Sequence, residues 1–329
     1  AFVRFRVPQD KIKNGNAVIA VKNASGTVMW SWHLWFIHDD ALNTVTCTNF
    51  QNHEYKFTQE TLGWKYTALS GSTYSAPRKV RVKVEQTVAN GGVKQSAYIT
   101  ITQNPGNARQ GYSTFYQFGR KDAFPGTDTT PDGSFNKNGG DNMSIQNGIQ
   151  HPETFYIGGA SWVSNYNQYN LWSMNNCEAS FNGNEVIKTI YDPCPAGFEM
   201  PVSLAFTGFT TTGENSNTPS EYNVRRYRGW HNGWFFKTAD AQTPLLYIGT
   251  TGAVAHSSGT FIPATFGTYW TAIPLSGNTG CDFVINENFI MPKGNDHAAM
   301  AYAIWPAYER PNKHGATNDR MQSGGVIRW

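Results

Sequence analysis

The chain has 329 residues, enough for two domains of ordinary size, and its 39% hydrophobic and 14% aromatic content with 15% charged residues excludes a disordered polymer. A formal net charge of +3 is too small to argue for nucleic acid or an anionic membrane, and no run approaches the ~18 apolar residues of a membrane helix. Residues 1–110 hold 13 Lys and Arg against 6 Asp and Glu, leaving +7, and the remainder carries −4; the asymmetry suits head-to-tail contact between subunits, or is drift between two domains.

Ala1, Val3, Phe5 and Val7 alternate with Phe2, Arg4 and Arg6, a period of two that predicts a strand with one buried face. Asn14-Gly15-Asn16 makes a turn, Ala17–Val21 reads as a short, largely buried strand, and Asn23-Ala24-Ser25-Gly26 turns the chain into Thr27–Ile37. That segment is apolar on both faces, which predicts a central strand covered on both sides. Val80, Val82 and Val84 alternate with Arg81, Lys83 and Glu85, and Asn90-Gly91-Gly92 leads into Ala97–Thr102, an antiparallel hairpin with one solvated face. Residues 1–103 therefore read as a β-sandwich of about seven strands. After a linker at Asn104–Asn107 the chain becomes rich in Gly, Asn, Trp and Tyr; Asp122–Met143 is a polar loop, and Asn184–Ile190 is the best helix, with Asn184 as its N-cap. Such a loop-rich segment needs large aromatics for its core: Trp162, Trp172, Trp230, Trp234, Trp270 and Trp305.

Tests for chemistry return little. There is no GxSxG elbow, phosphate-binding loop or dinucleotide fingerprint. His33 and His38 lie five apart, on opposite faces of a strand, which argues against a shared metal. Asp128, Asp132 and Asp141, with Asn136 and Asn138, offer oxygen ligands for calcium, but their spacing is not that of an EF-hand and a solvated loop is the default. Glu185, Asp192 and Glu287 form no glycosidase motif and are expected to be surface charges. The aromatic run around Arg228, Trp230, His231, Asn232 and Trp234 can stack on a sugar or grip a protein partner, or can be core. No Cys/His cluster has zinc spacing, and the four cysteines, Cys47, Cys177, Cys194 and Cys281, permit three full pairings.

Several strings together carry a resemblance. Residues 15–38, GNAVIAVKNASGTVMWSWHLWFIH, resemble the segment GNAVIAV…G…ILWSWHIW of large fimbrillin-like surface proteins of Bacteroidales, and Thr61-Leu62-Gly63-Trp64 is similar to their NLGW. Residues 116–122, YQFGRKD, resemble YYQWGRKD. The strings YDPCPAGFEMP (191–201), GTYWTAIP (267–274) and AYAIWPAYE (301–309) resemble landmarks of the C-type-lectin-like domain often called the Fibrobacter succinogenes major paralogous domain. The resemblance spans residues 1–309. It implies a mainly β fold: an N-terminal β-sandwich of transthyretin-like or immunoglobulin-like type (1–110), a loop-rich α+β C-type-lectin-like adhesive domain (111–309) and a tail (310–329).

The function implied is that of a non-enzymatic fimbrial or pilus tip, or cell-surface adhesin, at the outer-membrane surface. It would assemble with other pilin subunits by donor-strand addition and meet a host or bacterial surface protein or glycan. The groove edge would lie along Phe2, Val3, Phe5 and Val7. The start at Ala1, without Met or signal segment, reads as a processed or truncated form. Departures are plain: the EPN, QPD and WND calcium–sugar motifs are missing, Trp305 replaces the usual Arg, and the closing cysteine is absent. Without it the resemblance leaves the pairing of Cys194 open, with Cys177 and Cys281 as the candidates for a disulfide. No cofactor is required; calcium is the one cation considered. The tail packs on the domain or pairs with another chain, and Gly324–Trp329 is strand-like. The alternatives are a secreted carbohydrate-binding module or glycan-active enzyme, and a structural stalk subunit.

Overall fold

A computed structural model describes residues 3–70, 78–87, 91–103, 108–127, 136–164, 171–225, 229–230, 232–238, 246–275, 277–309 and 324–328. Expectations placed on Phe2, Asp128, Asp132, Arg228 and His231 lie outside them. The fold is mainly β, 40% strand and 9% helix. It divides into two compact units: residues 1–65 with 112–329, and residues 66–111. This differs from the expected break after residue 110. The reason is a four-stranded sheet in which β3 (Thr44–Thr48) and β4 (Glu54–Thr58) join Ala307–Tyr308 and Phe198–Glu199. The early segment thus completes its ladders with residues far along the chain, and the strands expected to form one sandwich fall in both units.

In the larger unit, β1 (Gly15–Lys22) and β2 (Val28–Ile37) form the expected hairpin. The Asn23 carboxamide oxygen accepts from the backbone N–H of Ser25 and Thr27, and Gly26 takes a φ of 84°, open to glycine without a Cβ penalty. β2 is central, as its two apolar faces predict: β1 runs antiparallel on one side, and Gly324–Arg328 runs parallel on the other, with His33 opposite Gly324 and Ile37 opposite Arg328. Leu34, Trp35, Phe36 and Ile37 are all buried. β1 itself is mostly exposed, contrary to expectation, because it is the outer strand of this sheet. Residues 3–8 are in no strand despite their alternation; Val3 and Phe5 are about half exposed, and a period of two makes a strand only where a partner supplies the ladder.

The core centres on a seven-stranded sheet. Every residue of its strand Gly267–Pro274 is buried, with Thr279–Ile285 antiparallel on one side and Ala301–Ile304 parallel on the other. Trp162, Trp172, Trp234, Trp270 and Trp305 are buried as expected, and Trp230 packs partly buried against the same cluster. The expected helix at 184–190 does not form. Val186 and Lys188 are buried while Glu185 is exposed, and Lys188 bridges to Ser173, so tertiary contacts hold the segment extended. A seven-residue helix has little intrinsic stability to set against them.

In the smaller unit, Arg78–Glu85 and Ser96–Gln103 form the expected hairpin, with Val80 opposite Ile101 and Val82 opposite Ile99. Its apolar face is open as well as its polar one, for Val80, Val84, Ile99 and Ile101 are all more than half exposed. Lys65–Ser70 and Ala108–Tyr112 make a second two-stranded sheet.

Candidate functional site

The aromatic run chosen from the sequence separates into core and surface. Trp234 is 1% exposed, its indole N–H donates to the Asn286 carbonyl at 2.9 Å, and Tyr222 and Trp230 pack edge-on against its ring. No ring face is left for a ligand, so Trp234 is corrected to a core residue. Trp230 is half-buried. Asn232 is exposed with a φ of 54°, and its carbonyl accepts from the Tyr247 hydroxyl and the Thr250 N–H; it shapes the turn into strand Gly233–Phe236.

Of the calcium candidates, Asp141 accepts through Oδ1 from the Ser161 N–H at 3.2 Å and from the Ser161 hydroxyl. Among the described residues no three His, Cys, Asp or Glu side chains converge as metal ligands. None of the four cysteines is in a disulfide: Cys47, Cys194 and Cys281 are buried and Cys177 is exposed, so neither candidate bridge from Cys194 is made. Burial pushes the Cys47 thiol up to about 12 and raises those of Cys194 and Cys281. Asp192, expected at the surface, is fully buried.

A concave site does exist in the larger unit, beside β4 and strand Phe198–Glu199, the two sheet neighbours of Ala307–Tyr308. Ala307 is the last residue to bridge them: it lies opposite Phe57 on one side and Glu199 on the other. Beyond it a cleft of about 210 Å³ opens. Alternation along β4 turns Tyr55 inward and leaves Glu54 and Lys56 exposed at the rim. Tyr308 stands at the edge, its ring 49% exposed and braced edge-on by Phe198 at 5.8 Å, with the Lys56 ammonium 6.0 Å from its centre.

A further part of the lining is the segment that the sequence marked as a helix. It brings Glu185 and Val186 to the cleft, beside Pro201, Val202 and Glu199. A buried ammonium fixes this wall to the sheet: Lys188 Nζ donates to Asp192 Oδ1 and to the Phe198 carbonyl, both at 3.0 Å, and to the Cys194 carbonyl. Asp192 in turn accepts from the N–H groups of Cys194 and Met200. The string YDPCPAGFEMP is therefore a rigid bracket that positions Glu199, Pro201 and the cleft wall. The site unites three carboxylates, one ammonium and two tyrosines over an apolar floor. Sequence reading missed it because its residues come from positions 54–56, 185–202 and 307–308 and share no local motif; the only signal was the YDPCP string itself.

A second buried charge group lies in YQFGRKD. Lys121 Nζ donates to Asp122 Oδ1 at 2.6 Å and to the hydroxyl and carbonyl of Ser31; the Ser31 hydroxyl donates to Asp122 Oδ1 at 2.6 Å. Burial lowers the Lys121 pKa, opposed by the Asp122 charge. Arg120 donates to Gln117 Oε1 and the Thr154 carbonyl. All three charged side chains are buried, so the group ties β2 to the core rather than facing a ligand.

No family model, no curated protein and no solved structure matches the chain.

Proposed function

We propose that the chain is an extracellular, non-catalytic adhesion protein, a fimbrial tip or outer-membrane surface subunit that is joined to its neighbours by strand addition and presents its larger unit to a target. What carries this reading is the three-stranded sheet β1–β2–Gly324–Arg328. One edge of β2 takes up a short parallel strand from a distant part of the chain, which is strand addition within one molecule. On the other side β1 is an eight-residue outer strand with exposed Val18 and Val21, preceded by exposed Val3 and Phe5. A long apolar outer strand invites further pairing unless a partner covers it.

The sequence strings and the aromatic, loop-rich larger unit support the adhesive role; the lectin-like assignment of that unit is part of the proposal. Peptides copying terminal strands of candidate pilins should raise the Tm of the purified chain. No rise with any of them sinks the strand-addition part. Immunogold labelling of isolated fibres should count about one copy per fibre end; many copies along the shaft would instead make the chain a stalk subunit.

A further inference from the structure

The cleft at Ala307 has a chemical bias that narrows its ligand. At about 210 Å³ it is smaller than the roughly 300–1,000 Å³ of pockets for drug-sized molecules, so it fits one long side chain or one monosaccharide. Its exposed ionisable lining is Glu54 and Glu185 against Lys56; the third acid, Glu199, is buried and engaged within the protein. Ionised carboxylates only accept hydrogen bonds, whereas a sugar hydroxyl both gives and accepts. A lining dominated by acceptors is matched by a head group that only donates. Among the described residues, no partner meets the carboxylates of Glu54 and Glu185, which both line the cleft. Like charges on the walls of a concave, partly apolar site reinforce one another's potential, and a bound cation relieves them. Val186, Pro201, Val202 and Ala307 offer an apolar surface to an aliphatic stem.

From this we propose that the cleft receives an arginine side chain from an extended segment of a partner protein. The guanidinium would give its planar set of donors to Glu54 and Glu185, and the exposed Tyr308 ring would supply a face for stacking. A divalent metal is the weaker match, because no three ligand side chains converge there. Lys56, at the rim beside Tyr308, opposes the ligand's charge and so sets its affinity. The inference rests on the reading of the chain as a binding protein and adds the chemistry of its partner.

The test is a titration of the ¹⁵N-labelled full chain with N-acetylated, C-amidated Gly-Arg-Gly, with Gly-Gln-Gly in the same form, with N-acetylglucosamine and with calcium chloride, followed by backbone amide shifts. The arginine peptide should move amides at 54–56, 185–186 and 307–308, and weaken as NaCl is raised. Glu54→Gln and Glu185→Gln, both at exposed positions, should each cost about tenfold in affinity with unchanged Tm, and Lys56→Gln should tighten binding about threefold. Equal response to the glutamine peptide, response only to the sugar or to calcium, or indifference to both glutamate variants overturns the proposal. Loss of the adhesion reading would show separately, as absence of the protein from fibres and cell surfaces in the labelling experiment, with the titration unaffected.

Discussion

Single residues here do work that their type alone does not announce. Trp234 lies in the densest aromatic run, but its ring is enclosed and its N–H is spent on Asn286. Trp234→Ala should cost about 3–5 kcal/mol in urea unfolding, by cavity formation and the orphaned carbonyl. Trp230→Ala, at a half-buried ring, should cost visibly less; equal losses would mean that both are core. His33 is the clearest titration site. Its ring is buried, Nε2 donates to Asn16 Oδ1 at 2.8 Å, and Nδ1 accepts from the Tyr116 hydroxyl at 2.7 Å, so both nitrogens are satisfied in the neutral form. Burial lowers its pKa to about 3. Below the ordinary value of 6.5 the unfolded chain gains a proton that the folded chain refuses, so stability is complete above pH 6.5 and is lost as pH falls toward 3. At 1.36 kcal/mol per unit the loss reaches at most about 5 kcal/mol. Unfolding free energies measured between pH 7.5 and 4 should fall accordingly and the fall should flatten in His33→Gln; an identical slope in that variant would assign the acid sensitivity elsewhere.

At the scale of elements, local pattern and long-range pairing part company. The hairpins of β1 with β2 and of Arg78–Glu85 with Ser96–Gln103 were legible because alternation and a Gly-bearing turn are set by neighbouring residues. Residues 3–8 have the same alternation and no strand, and 184–190 has helix-like composition and an extended backbone, because their fate depends on what lies across from them. The cleft wall is the consequence: it exists because Lys188 finds Asp192 and the Phe198 carbonyl, a local spacing whose outcome is fixed by burial. The parallel strand Gly324–Arg328 is held to β2 by backbone pairing. Truncation after residue 323 should speed amide hydrogen exchange within His33–Ile37 while leaving the Gly267–Pro274 strand protected. Unchanged exchange in His33–Ile37 would show that the strand contributes nothing to that edge.

For the molecule as a whole, the compact units redistribute the charge seen along the chain. Residues 66–111 carry six Lys and Arg against a single acid, Glu85, so most of the early excess of positive charge belongs to the smaller unit. The larger unit contains the seven-stranded sheet and the buried tryptophans, and among the described residues its core cluster is built from outside 66–111. Replacing 66–111 with a short Gly-Ser linker should therefore leave a cooperative unfolding transition and the near-UV aromatic signal in place; loss of both would mean that the units fold as one.

The amino-acid sequence by itself determined the β class, the hairpins with their glycine turns, the central position of β2 and the tryptophan core, because period-two alternation, turn chemistry and aromatic burial act over a few residues or through composition. Only the tertiary structure decided the two units, the parallel strand on β2, the enclosure of Trp234 and Asp192, and the acidic cleft at Ala307. Each of these depends on backbone ladders or charge pairs between residues that meet only when the chain is folded, and neither local spacing nor composition encodes which partner each will find.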